Sequence, residues 1–316
     1  MSCAFVFPGQ GSQAVGMGRA LAETFPAARQ VFEEVDDALA QRLSRLMFEG
    51  PESDLTLTEN AQPALMAVSL AVVRVLEGEG GFILAERAAF VAGHSLGEYS
   101  ALAAAGALRL ADTARLLKRR GQAMQQAVPV GEGAMAALLG LDLEAAAAVA
   151  AEAAADTDAV CAAANDNAPG QVVVSGARVA VERAIAIAAT RGARRSILLP
   201  VSAPFHCALM APAAAAMKQA LAEVALVPPA VPLVANVTAS AVSDPETIRR
   251  LLVEQVTGMV RWRESVLYMK AEGVATLFEL GAGKVLTGLA RRIDRDLDAV
   301  AAGLPDEIEA ALKRLT

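Results

Sequence analysis

Three cysteines and two histidines are all that this 316-residue chain holds of either residue. Cys3, Cys161 and Cys207 are odd in number and form no C-x-x-C pair. That argues against a disulfide framework and a structural zinc site, and favours a reducing compartment. Positive charge is not in excess: the net charge of −7 argues against a nucleic-acid partner. The 55% hydrophobic content and mean hydropathy of +0.41 are inflated by alanine and do not make a membrane protein. Residues 196–217 carry no charged side chain, but Pro200, Pro204, His206 and Pro212 interrupt them, so they do not form a spanning helix. Ala4-Phe5-Val6-Phe7 is strand-like and has no basic segment before it, so no secretory signal is expected. There is no internal repeat and no low-complexity tail beyond the alanine bias. These absences describe a cytoplasmic globular protein, long enough to bury one large core and carry a smaller domain.

What is present centres on Gly93-His94-Ser95-Leu96-Gly97, which continues as Glu98-Tyr99-Ser100. It follows a short apolar run at residues 89–92 and precedes an alanine-rich segment, residues 102–110, that reads as helix. Strand, sharp turn and helix, with a serine at the apex, is the context of a nucleophile elbow. The glycines permit the tight turn, and the helix start brings N–H groups and a positive dipole end to the reacting carbonyl.

The rest of the chain alternates strands and helices. Strands are expected at residues 4–7, 89–92, 233–236, 276–280 and 299–302. Helices are expected at about 17–40 with a break at Pro26, and at 58–76, 96–110, 111–128, 208–224, 245–256 and 262–272. That order argues for an α/β protein with a parallel sheet covered on both faces. Between residues 129 and 201 the texture changes. Strands at 134–139, 159–164, 171–175 and 195–199, helices at 143–155 and 179–191, and a turn cluster at 165–170 spell βαββαβ. This is the ferredoxin-like pattern, read as a small domain at 129–201 inserted into a large one at 1–128 and 202–316. The groove between two domains is a natural ligand site.

A serine hydroxyl needs a base. If that base is histidine, only His94 and His206 are available. His94 adjoins the nucleophile and leaves the elbow in another direction, so His206, between a proline-bounded loop and a helix, is the candidate. No acid stands out as its partner: Asp112, Asp142 and Asp166 sit in ordinary helical or turn contexts, and a backbone carbonyl or an amide side chain is an alternative. In Pro8-Gly9-Gln10-Gly11-Ser12-Gln13, two glycines bracket Gln10. Its N–H, with that of Leu96, suits an oxyanion hole; a plain β-turn is an equal reading. Gly281-Ala282-Gly283-Lys284 is not a phosphate loop, because the Walker pattern needs glycine at Phe278 and Ser or Thr at Val285.

Phe7-Pro8-Gly9-Gln10-Gly11-Ser12-Gln13 together with the elbow closely resembles the malonyl-CoA:acyl carrier protein transacylases. Further matches are Asn60-Ala61-Gln62-Pro63-Ala64-Leu65, Arg120-Gly121, the run from Asn167-Ala168-Pro169-Gly170 to Gly176, and Pro204-Phe205-His206. Gln255 ahead of Trp262, and the run from Glu279-Leu280-Gly281 to Leu289, complete a set that spans nearly the whole chain in family order. The resemblance implies a hydrolase-like α/β domain with a ferredoxin-like insert. It implies Ser95 as nucleophile, His206 as base, Gln255 as the group orienting His206, and the amides of Gln10 and Leu96 as oxyanion hole. It also implies Arg120 as the residue binding the malonyl carboxylate, with Gln62 and Asn165 as lesser site residues. Phe205 resembles the residue of malonyl-selective members. No cofactor or metal is implied; the expected partners are malonyl-CoA and acyl carrier protein.

Successive helical residues point about 100° apart, so only one of Arg119 and Arg120 can face a site. The family places its arginine directly before glycine, which selects Arg120. Carrier proteins are acidic, and the candidate docking clusters are Lys118 with Arg119, Arg191 with Arg194 and Arg195, and Arg291 with Arg292. Each of these is equally well read as scattered solvated charge. A thioester hydrolase, a non-catalytic acyl-binding subunit, and the transacylase of a malonate decarboxylase or polyketide system are the rival functions.

Overall fold

The computed structural model describes residues 2–315. Its strands, in chain order, begin with β1 (Cys3–Phe7) and β2 (Ala88–Gly93). Then come β3 (Gly133–Leu139), β4 (Cys161–Ala168), β5 (Gln171–Ala177) and β6 (Arg195–Leu198), followed by β7 (Leu233–Ala235), β8 (Ser240–Val242), β9 (Thr276–Leu280) and β10 (Asp298–Ala302). They form two sheets, one of order β10-β9-β1-β2-β7-β8 and one of order β4-β5-β3-β6. The first is parallel except for the β7–β8 pair. The second is antiparallel throughout. The fold is α/β: a hydrolase-like parallel sheet with a ferredoxin-like βαββαβ unit.

β1 lies centrally, every residue buried. Its side chains alternate between two cores, as the pleat requires. Cys3, Phe5 and Phe7 join the larger cluster, built around helix Thr58–Gly80 and helix Leu110–Ala127. Ala4 and Val6 join Trp262, Val266, Met269 and Leu286 on the other face. Helix Thr58–Gly80 is apolar and long enough to cross a membrane, but 83% of its most apolar window is buried inside this core. In the second sheet, Ala136, Leu138, Val172 and Val174 pack under helices Leu143–Thr157 and Arg178–Thr190. The opposite face turns Met135, Ala137 and Val173 onto the larger core. The strands and helices expected from sequence recur within a few residues.

Two expectations need correction. The helix after the elbow ends at Ala104, not near residue 110. Gly106, at φ 74°, takes the left-handed position, and the Ala107 N–H closes back on the Leu102 carbonyl at 2.8 Å. This is a Schellman stop, which alanine-rich composition conceals. The expected turn cluster at 165–170 is instead strand as far as Ala168, and only Pro169-Gly170 turns. Asn165 and Asp166 stay extended because a second neighbour binds their backbone: Asp166 N–H donates to Val260 O at 2.9 Å, and Val260 N–H to Ala164 O at 2.9 Å. Tertiary pairing overrides the turn propensity of these residues.

Candidate active site

The elbow is built by close approach. A Cβ on Gly93 would stand 1.9 Å from the Gly97 carbonyl carbon, and one on Gly97 would stand 2.2 Å from Phe7 O. Both glycines are therefore required for β2 to turn directly into helix Gly97–Ala104 beside β1. Ser95, between them, is held at φ 52°, a strained conformation for a residue with a side chain. Asn236, fully buried at the end of β7, anchors the turn: Ser95 N–H donates to its Oδ1 at 2.8 Å and its Nδ2 donates to Gly93 O at 2.7 Å. Replacing Gly93 by alanine is expected to cost about 3 kcal/mol or more of stability, since backbone cannot move aside as a side chain can. Chemical denaturation checks this.

Ser95 Oγ lies 2.8 Å from His206 Nε2. His206 Nδ1 faces two carbonyl oxygens, Gln255 O at 2.9 Å and Gly258 O at 3.1 Å. Carbonyls only accept, so Nδ1 carries the proton, and Nε2 is left bare to accept from the serine hydroxyl. Burial, reinforced by the Arg120 charge, lowers the His206 pKa to about 3, so the imidazole is neutral, the state a general base needs. His206 also sits at a positive φ, 60°. The group orienting it is thus the main chain of Gln255, not its side chain.

The Gln255 side chain serves elsewhere. Its Nε2 donates to Ser95 O at 2.9 Å and to Glu98 Oε2 at 2.7 Å, and its Oε1 accepts from Arg120 Nη2 at 2.9 Å. Arg120, on the buried face of helix Leu110–Ala127, reaches Ser95: Nη2 donates to Ser95 Oγ at 3.1 Å and Nη1 to Gln62 Oε1 at 2.7 Å. It lies over the Tyr99 ring, 5.7 Å from the centroid. The guanidinium is only 1% exposed, and among the described residues no carboxylate pairs with it. Its Nε has no hydrogen-bond partner among the described residues. A buried cation with no carboxylate in direct contact is costly, and an arriving carboxylate would relieve that cost. Arg119 points away and pairs with Glu223 at 3.1 Å, so of the two arginines it is Arg120 that faces Ser95. Gly121 lets the arginine helix touch its neighbour, since a Cβ there would stand 2.4 Å from Glu59 Cα.

Gln62 braces Arg120 and donates to Thr58 Oγ1 at 2.9 Å; that hydroxyl in turn donates to Gln10 Oε1 at 2.8 Å. The Gln10 loop is packed on the elbow, because a Cβ on Gly9 would meet His94 O at 2.7 Å. Neither the Gln10 N–H nor the Leu96 N–H has a hydrogen-bond partner among the described residues, as expected of donors kept for a ligand. His94 Nε2 bonds Asn167 Oδ1 at 2.8 Å and takes no part with Ser95. Asn165 is buried in β4 beside Val260, but its side chain makes none of these hydrogen bonds. Phe205 is buried beside His206. Three residues of the cluster, Asn236, Glu98 and Thr58, were not singled out from sequence; Glu98 lies inside the elbow motif, the one available signal. Among the described residues no group of His, Cys, Asp or Glu is arranged to hold a metal.

Comparison with known proteins adds an independent line. A family model described as an acyl transferase domain matches residues 4–301. A malonyl CoA-acyl carrier protein transacylase of Bacillus subtilis (strain 168) is 46% identical over 312 residues, covering 99% of this chain and 96% of its own. That of Escherichia coli (strain K12) is 47% identical over 310 residues, with 98% of each chain covered. Among solved structures, an acyl-carrier-protein-S-malonyltransferase from Bartonella henselae matches at 60% identity and a TM-score of 0.97, covering 100% of this chain and 99% of that one. A malonyl-transacylase solved in complex with its type II polyketide acyl-carrier protein matches at 42% identity and a TM-score of 0.95, over 99% of this chain and 100% of that one.

Proposed function

This chain belongs to the malonyl-CoA:acyl carrier protein transacylases, and on that premise we propose that it works by ping-pong acyl transfer through Ser95. It is an acyl carrier protein S-malonyltransferase of fatty acid synthesis, with malonyl-CoA and acyl carrier protein as partners. One observation carries the mechanism: Ser95 Oγ lies within hydrogen-bond reach of both a neutral imidazole and a buried guanidinium.

In the first half-reaction Ser95 Oγ attacks the malonyl thioester carbon as its proton passes to His206 Nε2. The Gln10 and Leu96 amides take the developing oxyanion; losing one such donor costs about 3 kcal/mol of transition-state stabilisation. Collapse expels coenzyme A, which leaves with the proton from His206. Arg120 holds the free carboxylate of the Ser95 ester through paired charge-assisted bonds that lysine cannot copy. In the second half-reaction the phosphopantetheine thiol gives its proton to His206, attacks the ester, and restores Ser95. Phe205 crowds the space beside His206 against an α-methyl branch, a discrimination of about 1–3 kcal/mol. The enzyme works in the cytoplasm, a reading that its three free cysteines support. Residues 129–201 form the inserted domain.

The carrier protein docks on arginines that two parts of the fold bring together. Arg292 Nη1 donates to Gln171 Oε1 at 2.7 Å. Gln171 pairs with Leu139, Leu139 pairs with Arg195, and Arg194 lies against Gly140. Arg194, Arg195 and Arg292 have no acidic partner within ion-pair distance among the described residues, whereas Lys118, Arg119 and Arg191 are each paired with a glutamate. Reversing Arg195 and Arg292 to glutamate is expected to raise the KM for carrier protein about tenfold or more, with steep salt dependence lost and loading from malonyl-CoA little changed. Unchanged carrier-protein kinetics would remove this surface from the account.

A further inference from the structure

One buried carboxylate is not used in this mechanism. Glu98 sits on the first turn of the elbow helix and is 1% exposed. Its Oε2 accepts from Gln255 Nε2 at 2.7 Å and from the Asn236 N–H at 3.3 Å. The other end of the same Gln255 amide accepts from Arg120. A guanidinium only donates, so the amide must turn its oxygen to Arg120 and its NH₂ to Glu98. The result is a carboxylate–amide–guanidinium bridge behind the nucleophile. A favourable helix-dipole position explains an acid at this turn but not its burial, since an exposed acid would serve as well.

The other ionisable groups near Glu98 are few. Arg120 faces it from helix Leu110–Ala127, and Tyr99 adjoins it on its own helix. His94 lies in the elbow loop, and His206 lies across the Gln255 main chain. The buried side chains of helix Thr58–Gly80 and of β7 are neutral, and Glu59, at that helix's start, is paired with Lys118. Cys3 stands at the far end of β1, opposite Ala88.

We propose that Glu98 is a positioning residue and the counter-charge of Arg120, acting through Gln255, and that it takes up a proton when the substrate's carboxylate reaches Arg120. The inference rests on the reading that Arg120 holds the malonyl carboxylate. With the site empty, Glu98 feels burial pushing its pKa up to about 7, while Gln255, Asn236 and Arg120 oppose the rise, so it is partly ionised at neutral pH. A second carboxylate at Arg120 neutralises that charge and adds a like charge nearby, and both effects favour the protonated form. The proton comes from solvent and forms an O–H on Glu98. By linkage, a group that binds its proton more tightly in the complex weakens binding as pH rises above the free-state value. The affinity for malonyl is therefore level below pH about 7 and falls by up to about tenfold per unit above it.

Calorimetry on the Ser95→Ala enzyme, in two buffers of different ionisation heat, tests this without turnover. At pH 7 malonyl-CoA should draw about half a proton per site more than acetyl-CoA, which carries the same titrating phosphates. The excess should disappear when Glu98→Gln is added, and in the Ser95 enzyme Glu98→Gln should flatten the rise of the malonyl-CoA KM above pH 7. A purely structural Glu98 would change stability and leave the proton count unmoved. Equal uptake with the two donors, or an excess that survives Glu98→Gln, overturns the inference. The two-donor comparison alone decides if that variant does not fold. Malonyl-CoA binding no tighter than acetyl-CoA would instead overturn the reading of Arg120.

Discussion

His206→Ala will lower malonyl transfer by about 10⁴-fold or more while leaving the protein folded. The expectation follows from the hydrogen bonds around the ring. Among the described residues its Nε2 is the only base bonded to Ser95 Oγ, and two carbonyls lock the ring in the tautomer that accepts a proton. The other histidine is committed to Asn167 and cannot substitute. Rapid-quench measurement of coenzyme A release gives the rate, and a thermal melt gives the fold. Because burial lowers the His206 pKa to about 3, loading in the wild type should hold its rate as pH falls from 7 to 5, where an ordinary histidine would protonate. Stability moves the other way. The unfolded chain takes up this proton below about pH 6.5 and the native state does not, so acidification destabilises the fold through that range.

The second large effect is at Arg120. Arg120→Ala is expected to lower kcat/KM for malonyl-CoA by about 30- to 1000-fold, the size of truncating one partner of a buried charge pair. Acetyl-CoA, which has no carboxylate to bind, should lose far less, so selectivity should collapse. Arg120→Lys should not restore it, because an ammonium cannot match a carboxylate in two parallel bonds. Stability is expected to fall by about 1–3 kcal/mol: the variant removes a costly buried cation, but leaves Gln62 Oε1 and Gln255 Oε1 each short of one donor and takes from Glu98 the charge that Gln255 bridges to it. A loss equal for both donors would mean that Arg120 shapes the site without binding the malonyl group.

The two effects also separate what could be read in the chain from what could not. The elbow was legible because its chemistry lies in its glycines: no other residue fits where a Cβ would meet backbone at 1.9 Å and 2.2 Å. His206 was legible by scarcity, since the chain has only two histidines. The βαββαβ unit was legible from the order of its short apolar runs at 134–139, 159–164, 171–175 and 195–199 around helical stretches at 143–155 and 179–191. A backbone carbonyl was one of the open readings for the group orienting His206, but residue identities alone could not pick which carbonyl, since every residue has one. The resemblance supplied Gln255, and it is the Gln255 main chain that faces Nδ1. The network of Asn236, Glu98 and Thr58 escaped because these common polar residues become site residues only when β7, the elbow and helix Thr58–Gly80 converge. β4 was cut short because Asn and Asp favour turns locally, and the Val260 segment that keeps them extended lies far along the chain.

In the proposed mechanism Ser95 carries the acyl group between the two partners. Intact-protein mass after brief mixing with malonyl-CoA tests it most directly, with acetyl-CoA and Ser95→Ala as controls, followed by addition of carrier protein bearing its phosphopantetheine arm. A malonyl adduct on the wild type only, lost when the carrier protein is added and kept in buffer, is the predicted result. An adduct that persists in Ser95→Ala, or coenzyme A released with no adduct ever formed, would contradict the account.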